Sequence, residues 1–372
     1  MLLHPCMDLS EQPPSGNTPP EAVPPLVEIA LPPPLPPPAP FIFHGSAREY
    51  FRIWIVNTLL TILTLGVFSA WAKVRKRRYL RGNTELLGHR FDYTADPRRI
   101  LVGNAIVVIL FLIYGLFGAV YPALRLLALA LGVIFLPWII VRSLAFNAHC
   151  TMWRGLRFRF HPSLSAAITV YLLQPLLIVV TLGFYFPAWA RARTEFRINR
   201  HRFGTAYFHF DAKVGPFFRA YFGAGGLIFI GALMLGGLAT WLTARQGGHA
   251  PTTTQLLPGL VVYGLFVLLA KHYAFARLFN PIWNGTRLDL HRFEGRLHSG
   301  RWIALQFGNL GAIIATCGLL YPWALMRSTR YALSCLTLQL NAPIDTIQRM
   351  GSATGSALGE SAAEFAGFDF GL

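Results

Sequence analysis

Three kinds of side chain recur in this sequence at spacings that could do chemistry. His44 and His161 stand 117 residues apart, at the ends of "FIFH" and "FRFH", and "LDLH" offers a third histidine at His291. Three imidazoles are a set that zinc accepts from a protein when a coordination position stays open. A repeated module that repeats a surface residue gives the same pattern, and spacing alone does not make the three converge. They are weak metal candidates, and the expectation is a chain with no metal and no cofactor.

The second kind is an amide set inside apolar runs. Asn57, Gln174 and Asn309 each lie seven residues before a threonine, Thr64, Thr181 and Thr316. A polar side chain in such a run is costly unless it finds a partner. Two readings fit. The amides and threonines line a solute site or pore, or the amides bond between packed helices, worth about 1 kcal/mol or less each.

The third kind is aromatic and basic. Trp71, Trp189 and Trp323 are each followed four residues later by an arginine, Arg75, Arg193 and Arg327. Arg78 with Tyr79 and Arg330 with Tyr331 extend the pattern in two of the copies. Tryptophan prefers the headgroup level of a bilayer, and arginine beyond it meets lipid phosphate, a substrate anion or the bare membrane surface. No Asp or Glu falls inside an apolar run, which argues against ion-coupled transport. GxSxG, HExxH and phosphate-loop patterns are absent, so no enzyme is expected.

These residues belong to one recurring word: "TLGVFSAWAKVRKRRY" from Thr64, "TLGFYFPAWARARTEF" from Thr181 and "TCGLLYPWALMRSTRY" from Thr316. Fixed offsets across three copies mark an internal triplication, with copies at about 41–93, 151–210 and 283–341. Pairs of apolar runs, about 98–145 and 216–278, separate the copies. Short alternating segments such as "GNTELLGHRFDY", "TMWRGLRFRFH" and "RFGTAYFHFD" bound them and read as strands, which cannot face lipid.

Composition agrees with a membrane protein. Of 372 residues, 54% are hydrophobic and 13% charged, and several runs reach the roughly 20 residues a bilayer core demands. The net charge of +17 then reads as cytoplasmic Lys and Arg rather than a nucleic-acid footprint. If each motif crossed the membrane once, 16 of the 33 basic residues would lie outside. If each motif returns to its own side, only Arg125 and Arg245 do, and the positive-inside rule prefers that arrangement. An interfacial helix followed by a kinked basic helix also fits. Four cysteines show no CxxC pair. Residues 1–40 hold 14 of the 26 prolines and read as a disordered, partly polyproline segment, and 342–372 as a disordered tail.

The stretch "FRIWIVNTLLTILTLGVFSAWAKVRKRRYLRGNTELLGHRFDY", with its NT-x(3)-G-x-RF strand, resembles the YjgN-like family of bacterial inner-membrane proteins. The resemblance runs from about Phe41 to Asn341. It implies membrane location and architecture, and no substrate or catalytic residue.

The expected fold is an all-α polytopic membrane protein with internal triplication. It has four full spans, three broken or re-entrant helices and a small cytoplasmic strand layer. It is multi-pass in the inner membrane, with both termini cytoplasmic. Its expected partners are the bilayer and anionic phospholipid head groups, not nucleic acid. The expected function is passage or binding of a small or lipidic solute at the centre of the motifs. The alternative is a scaffold or anionic-lipid binder that transports nothing.

Overall fold

The computed structural model describes residues 37–342. The proline-rich segment before them and the tail after them lie outside the described residues. The chain opens with β1 (Ala39–Pro40) and β2 (Ile42–Phe43). Helices α1 (Ala47–Leu63) and α2 (Ser69–Gly82) follow, then β3 (Thr84–Leu86) and β4 (His89–Tyr93). Next come α3 (Pro97–Val120), α4 (Pro122–His149), β5 (Thr151–Trp153) and β6 (Leu156–Phe160). Then α5 (Leu164–Ile168) passes through a π-helical turn, Thr169–Leu173, into α6 (Gln174–Val180). The return helix α7 (Phe186–Asn199) reaches β7 (His201–Phe203) and β8 (Ala206–Phe210). Long helices α8 (Gly215–Arg245) and α9 (Thr253–Asn284) lead to β9 (Thr286–Leu288) and β10 (His291–Gly295). Finally α10 (Ser299–Ala315) and α11 (Tyr321–Ser334) lead to β11 (Leu336–Gln339).

The strands form one antiparallel sheet of 11, in the order β1-β11-β10-β9-β8-β7-β6-β5-β4-β3-β2. Its two edge strands, β1 and β2, are separated in sequence by Phe41 alone. β1 pairs with β11, and β2 pairs with β3. The sheet therefore closes on itself through Phe41 into a barrel, which removes the edges that would otherwise recruit other strands. Strict alternation makes the wall. Arg90, Asp92, Arg157, Arg159, His209 and Arg292 are exposed or half-buried, while Leu86, Trp153, Phe203, Leu288 and Leu338 are buried on the opposite face.

Helical hairpins insert between successive strand pairs, and the unit repeats five times in the described chain. One backbone hydrogen bond marks each repeat: His44 N to Asn83 O, Thr94 N to Cys150 O, His161 N to Arg200 O, Asp211 N to Gly285 O and Arg296 N to Cys335 O, all 2.8–2.9 Å. The last repeat docks on the first. The Trp54 and Tyr321 rings lie 6.0 Å apart, and Arg330 Nη2 donates to Gly45 O at 2.9 Å. Three hairpins carry the Thr-x-Gly word, and the other two are the longer helix pairs.

The word is a reversal. Thr64 Oγ1 donates to Leu60 O at 2.7 Å and accepts from Phe68 N at 2.9 Å, closing one helix and opening the next. Thr181 and Thr316 repeat both bonds. The two following residues take left-handed backbone: Leu65 and Gly66 have φ of 49° and 92°, Leu182 and Gly183 51° and 91°, Cys317 and Gly318 48° and 93°. Glycine meets the second position because a side chain is strained there. The tips are apolar and open, with Leu65 95% and Leu182 90% exposed.

Among the described residues three helical segments are long and apolar enough to cross a bilayer: Ala123–His149, Gly215–Arg245 and Thr253–Asn284. The last two pack through glycine. A Cβ on Gly231 would lie 2.8 Å from Phe266 Cβ. These findings correct the expected fold class. The protein is not all-α with four spans and a small strand layer; an 11-stranded barrel sheet organises it, and three helices among the described residues qualify as spans. The reason is physical. Strands of two to five residues carry little signal singly, and pairings such as Ala39 with Leu338 exist only in the folded chain.

Candidate functional site

Five phenylalanines occupy the same register in alternate strands: Phe41 between β1 and β2, Phe91 in β4, Phe158 in β6, Phe208 in β8 and Phe293 in β10. Neighbouring rings stack or tilt at centroid distances of 6.5 Å (Phe41–Phe91), 6.5 Å (Phe91–Phe158), 6.3 Å (Phe158–Phe208), 6.2 Å (Phe208–Phe293) and 6.5 Å (Phe293–Phe41). The ring is closed. Alternate strands stand about 9.5 Å apart in the wall, so spacings this short require the side chains to converge on the barrel axis. Interplanar angles of 12–33° lay the rings nearly flat across that axis. Carbon contact radii leave an opening on the order of 4 Å across. Trp153 and Phe203 brace the ring, the latter 4.9 Å from Phe158.

A chamber of about 530 Å³ lies against this ring, where the five return helices meet the barrel. Phe41, Phe91 and Phe158 contribute to its lining. Arg77 and Arg81 reach it from α2, Asn147 from α4 and Arg197 from α7, with Thr84, Thr151 and His201 at the strand ends. Four of the five joints share one side-chain bond. Thr84, Thr151 and Thr286 each donate to the carbonyl four residues back, at 2.7–2.9 Å, and His201 Nδ1 takes that place against Arg197 O. Arg77 Nη1 donates to Tyr93 Oη at 2.9 Å and also to Asn147 Oδ1, and Arg81 donates to Thr151 Oγ1. No carboxylate is among the described lining residues. Burial lowers the His201 pKa, opposed by its bond to Arg197 O and assisted by the Arg197 charge, which favours the neutral imidazole.

The amides predicted from the sequence sit elsewhere. Asn57 and Asn309 are buried between the arms of their hairpins, where Oδ1 accepts from Arg75 Nη1 and Arg327 Nη1, each at 3.3 Å. Gln174 and Arg193 do not repeat the pair. Gln174 Oε1 and Arg193 Nε are buried without a hydrogen-bond partner among the described residues. The π turn explains part of this. Gln174 N bonds Thr169 O, five residues back, and Pro175 has no N–H for Val170 O. Trp189 Nε1 fills that vacancy at 2.7 Å. The threonines hold the reversals. None of the six lines the axial chamber.

The remaining candidates lie on the return helices. Arg193 and Arg327 stack over Trp189 and Trp323 at 4.9 and 5.1 Å, Arg75 lies over Phe68 at 5.3 Å, and Trp71 stacks on Phe68 at 5.9 Å. Arg78 Nε donates to Tyr93 O at 3.2 Å, tying α2 to the barrel as Arg330 ties α11. Arg52, Ile53, Val56, Arg75, Arg78 and Tyr79 line a second, lateral groove of about 460 Å³.

The three histidines are not brought together, and no group of three metal-capable side chains occurs among the described residues. His44 bonds Glu85 at 2.7 Å. His291 opens β10 instead of ending a strand; Arg296 holds the position equivalent to His44. The sequence reading missed the phenylalanine ring, although "PFIF", "RFDY", "RFRF", "YFHF" and "RFEG" each hold it.

A family model described as bacterial protein of unknown function (DUF898) matches residues 38–365. This chain belongs to that family. Three curated relatives are named inner membrane protein YjgN. The protein of Escherichia coli K12 is 34% identical over 152 residues, 39% of this chain and 37% of its own length. That of Salmonella typhimurium is 31% identical over 142 residues, 38% of this chain and 36% of its own length. The chain thus spans little over a third of those relatives in these matches. No solved structure matches it. Together with the apolar helices, these relatives support an inner-membrane protein.

Proposed function

We propose that this family member binds or passes a small or lipidic solute on the barrel axis, and that it is not an enzyme. The closed phenylalanine ring against the chamber carries this reading. A flat apolar constriction next to a largely apolar chamber that carries three arginines is a geometry that holds a solute or gates its passage. The helical hairpins start and end at the sheet, and Arg125 and Arg245 stand at the far ends of two of them. Under the positive-inside rule this arrangement supports a multi-pass protein with its barrel and both termini on the cytoplasmic side.

The test fills the chamber. Leu144 is one of its lining residues, and Leu144→Trp should abolish binding of the solute that wild type retains from an extract of cellular lipids and metabolites, read by native mass spectrometry. If no component binds wild type more tightly than the filled variant, the reading falls.

The lateral groove supports a second reading. Three arginines over an apolar floor suit an anionic head group, the surface-binding role. Charge reversal at Arg52 and Arg78 should weaken binding to phosphatidylglycerol vesicles and leave the axial ligand in place.

A further inference from the structure

We propose that the ligand of the axial chamber carries a phosphate group, held by Arg81 and Arg197 with Arg77 beside them. This rests on the chamber being a binding site and adds the ligand's class. Three guanidiniums enter one cavity of about 530 Å³, and no carboxylate is among its described lining residues. The hydrogen-bond acceptor of Arg81, Thr151 Oγ1, is neutral. Among the described residues the Arg197 guanidinium donates no hydrogen bond. Arg77 and Arg81 are half-buried and Arg197 is exposed at the mouth, and like charges sharing a cavity favour a counter-charge there. Guanidinium forks match the planar oxygen pairs of phosphate. The nearby hydroxyls of Thr84 and Thr151 and the amide of Asn147 add neutral polar contacts. The phenylalanine side is apolar, so the phosphate sits toward the helices and any apolar body of the ligand lies on the ring.

Two sources supply this chemistry, free phosphate and a lipid head group. The experiment uses full-length protein in phosphatidylcholine nanodiscs, with either inorganic phosphate added or phosphatidic acid mixed into the bilayer. One probe should raise the melting temperature by several degrees, as ligand linkage dictates. A shift with inorganic phosphate alone identifies a soluble ligand, and with phosphatidic acid alone a lipid. Arg81→Gln combined with Arg197→Gln should remove the shift, and Arg125→Gln at a distant hairpin end should keep it. If the double variant does not fold, Thr84→Cys on a chain with its native cysteines changed to alanine replaces it. The effective probe should slow modification of the introduced thiol by a polar reagent at least fivefold. No shift with either probe, a shift that survives in the double variant, or a thiol left unprotected in the Thr84→Cys variant would overturn the phosphate assignment. A neutral solute that binds wild type but not Leu144→Trp would leave the chamber standing and remove the phosphate alone.

Discussion

Asn57 and Arg75 meet across the two arms of the first hairpin, and Asn309 and Arg327 repeat the contact at the same 3.3 Å. Each pair spans 18 residues of chain and spares one buried amide oxygen an unpaired state. In the second hairpin one extra residue and the π turn break the pattern.

Asn57→Leu or Asn309→Leu should therefore destabilise its hairpin by about 0.5–1.5 kcal/mol, the net worth of the hydrogen bond it makes to the arginine across the two arms. Gln174→Leu should be neutral or stabilising, since its oxygen has no partner to lose. Thermal unfolding of the purified variants checks both. Equal losses at all three positions would contradict the structural assignment.

Opening the ring should raise permeability without emptying the chamber of its arginines. Phe208→Ala is expected to increase leakage of a small polar dye from proteoliposomes, and Phe208→Leu to increase it less. The alanine variant should also lose about 3 kcal/mol of stability. Unchanged leakage in a folded Phe208→Ala protein would show that the ring does not limit passage.

The three reversals should respond alike to the same substitution. Gly66→Ala, Gly183→Ala and Gly318→Ala each place a side chain at φ of 91–93° and should cost roughly 1–2 kcal/mol. Nothing lies within 4 Å of the added carbon at any of them, so the loss is backbone strain alone. Denaturant unfolding in mild detergent measures it.

Buried histidine should make the barrel acid-sensitive. Burial depresses the His291 pKa below its ordinary 6.5, with Asp289 opposing. The unfolded chain then takes up the proton first, so the neutral imidazole's contribution is complete above pH 6.5 and shrinks as pH falls through the folded value. Melting temperature should drop from about pH 7 to about pH 5, and His291→Gln should flatten part of that drop.

Reporter fusions at the N-terminus and after Arg202 should report the same side of the membrane, because β1, the first described strand, and β7, which holds Arg202, belong to one sheet. Reporters on opposite sides would refute hairpins that return to one face.

Much was legible in the residues themselves. Apolar runs announced membrane helices, and Thr-x-Gly announced a break, because a capping hydroxyl and a left-handed glycine are local requirements of a helix reversal. The alternating segments announced strands for the same local reason. What the sequence could not decide was closure. Phe41 and Phe293 stack although they lie far apart in the chain, and β1 reaches β11 only when every hairpin between them has folded back. Triplication was legible because three copies share a word, while the fivefold order includes two hairpins with no word in common with them. Pairing, register and convergence on an axis are properties of the assembled sheet, and so the ring, the chamber and the arginines facing it belong to the tertiary structure.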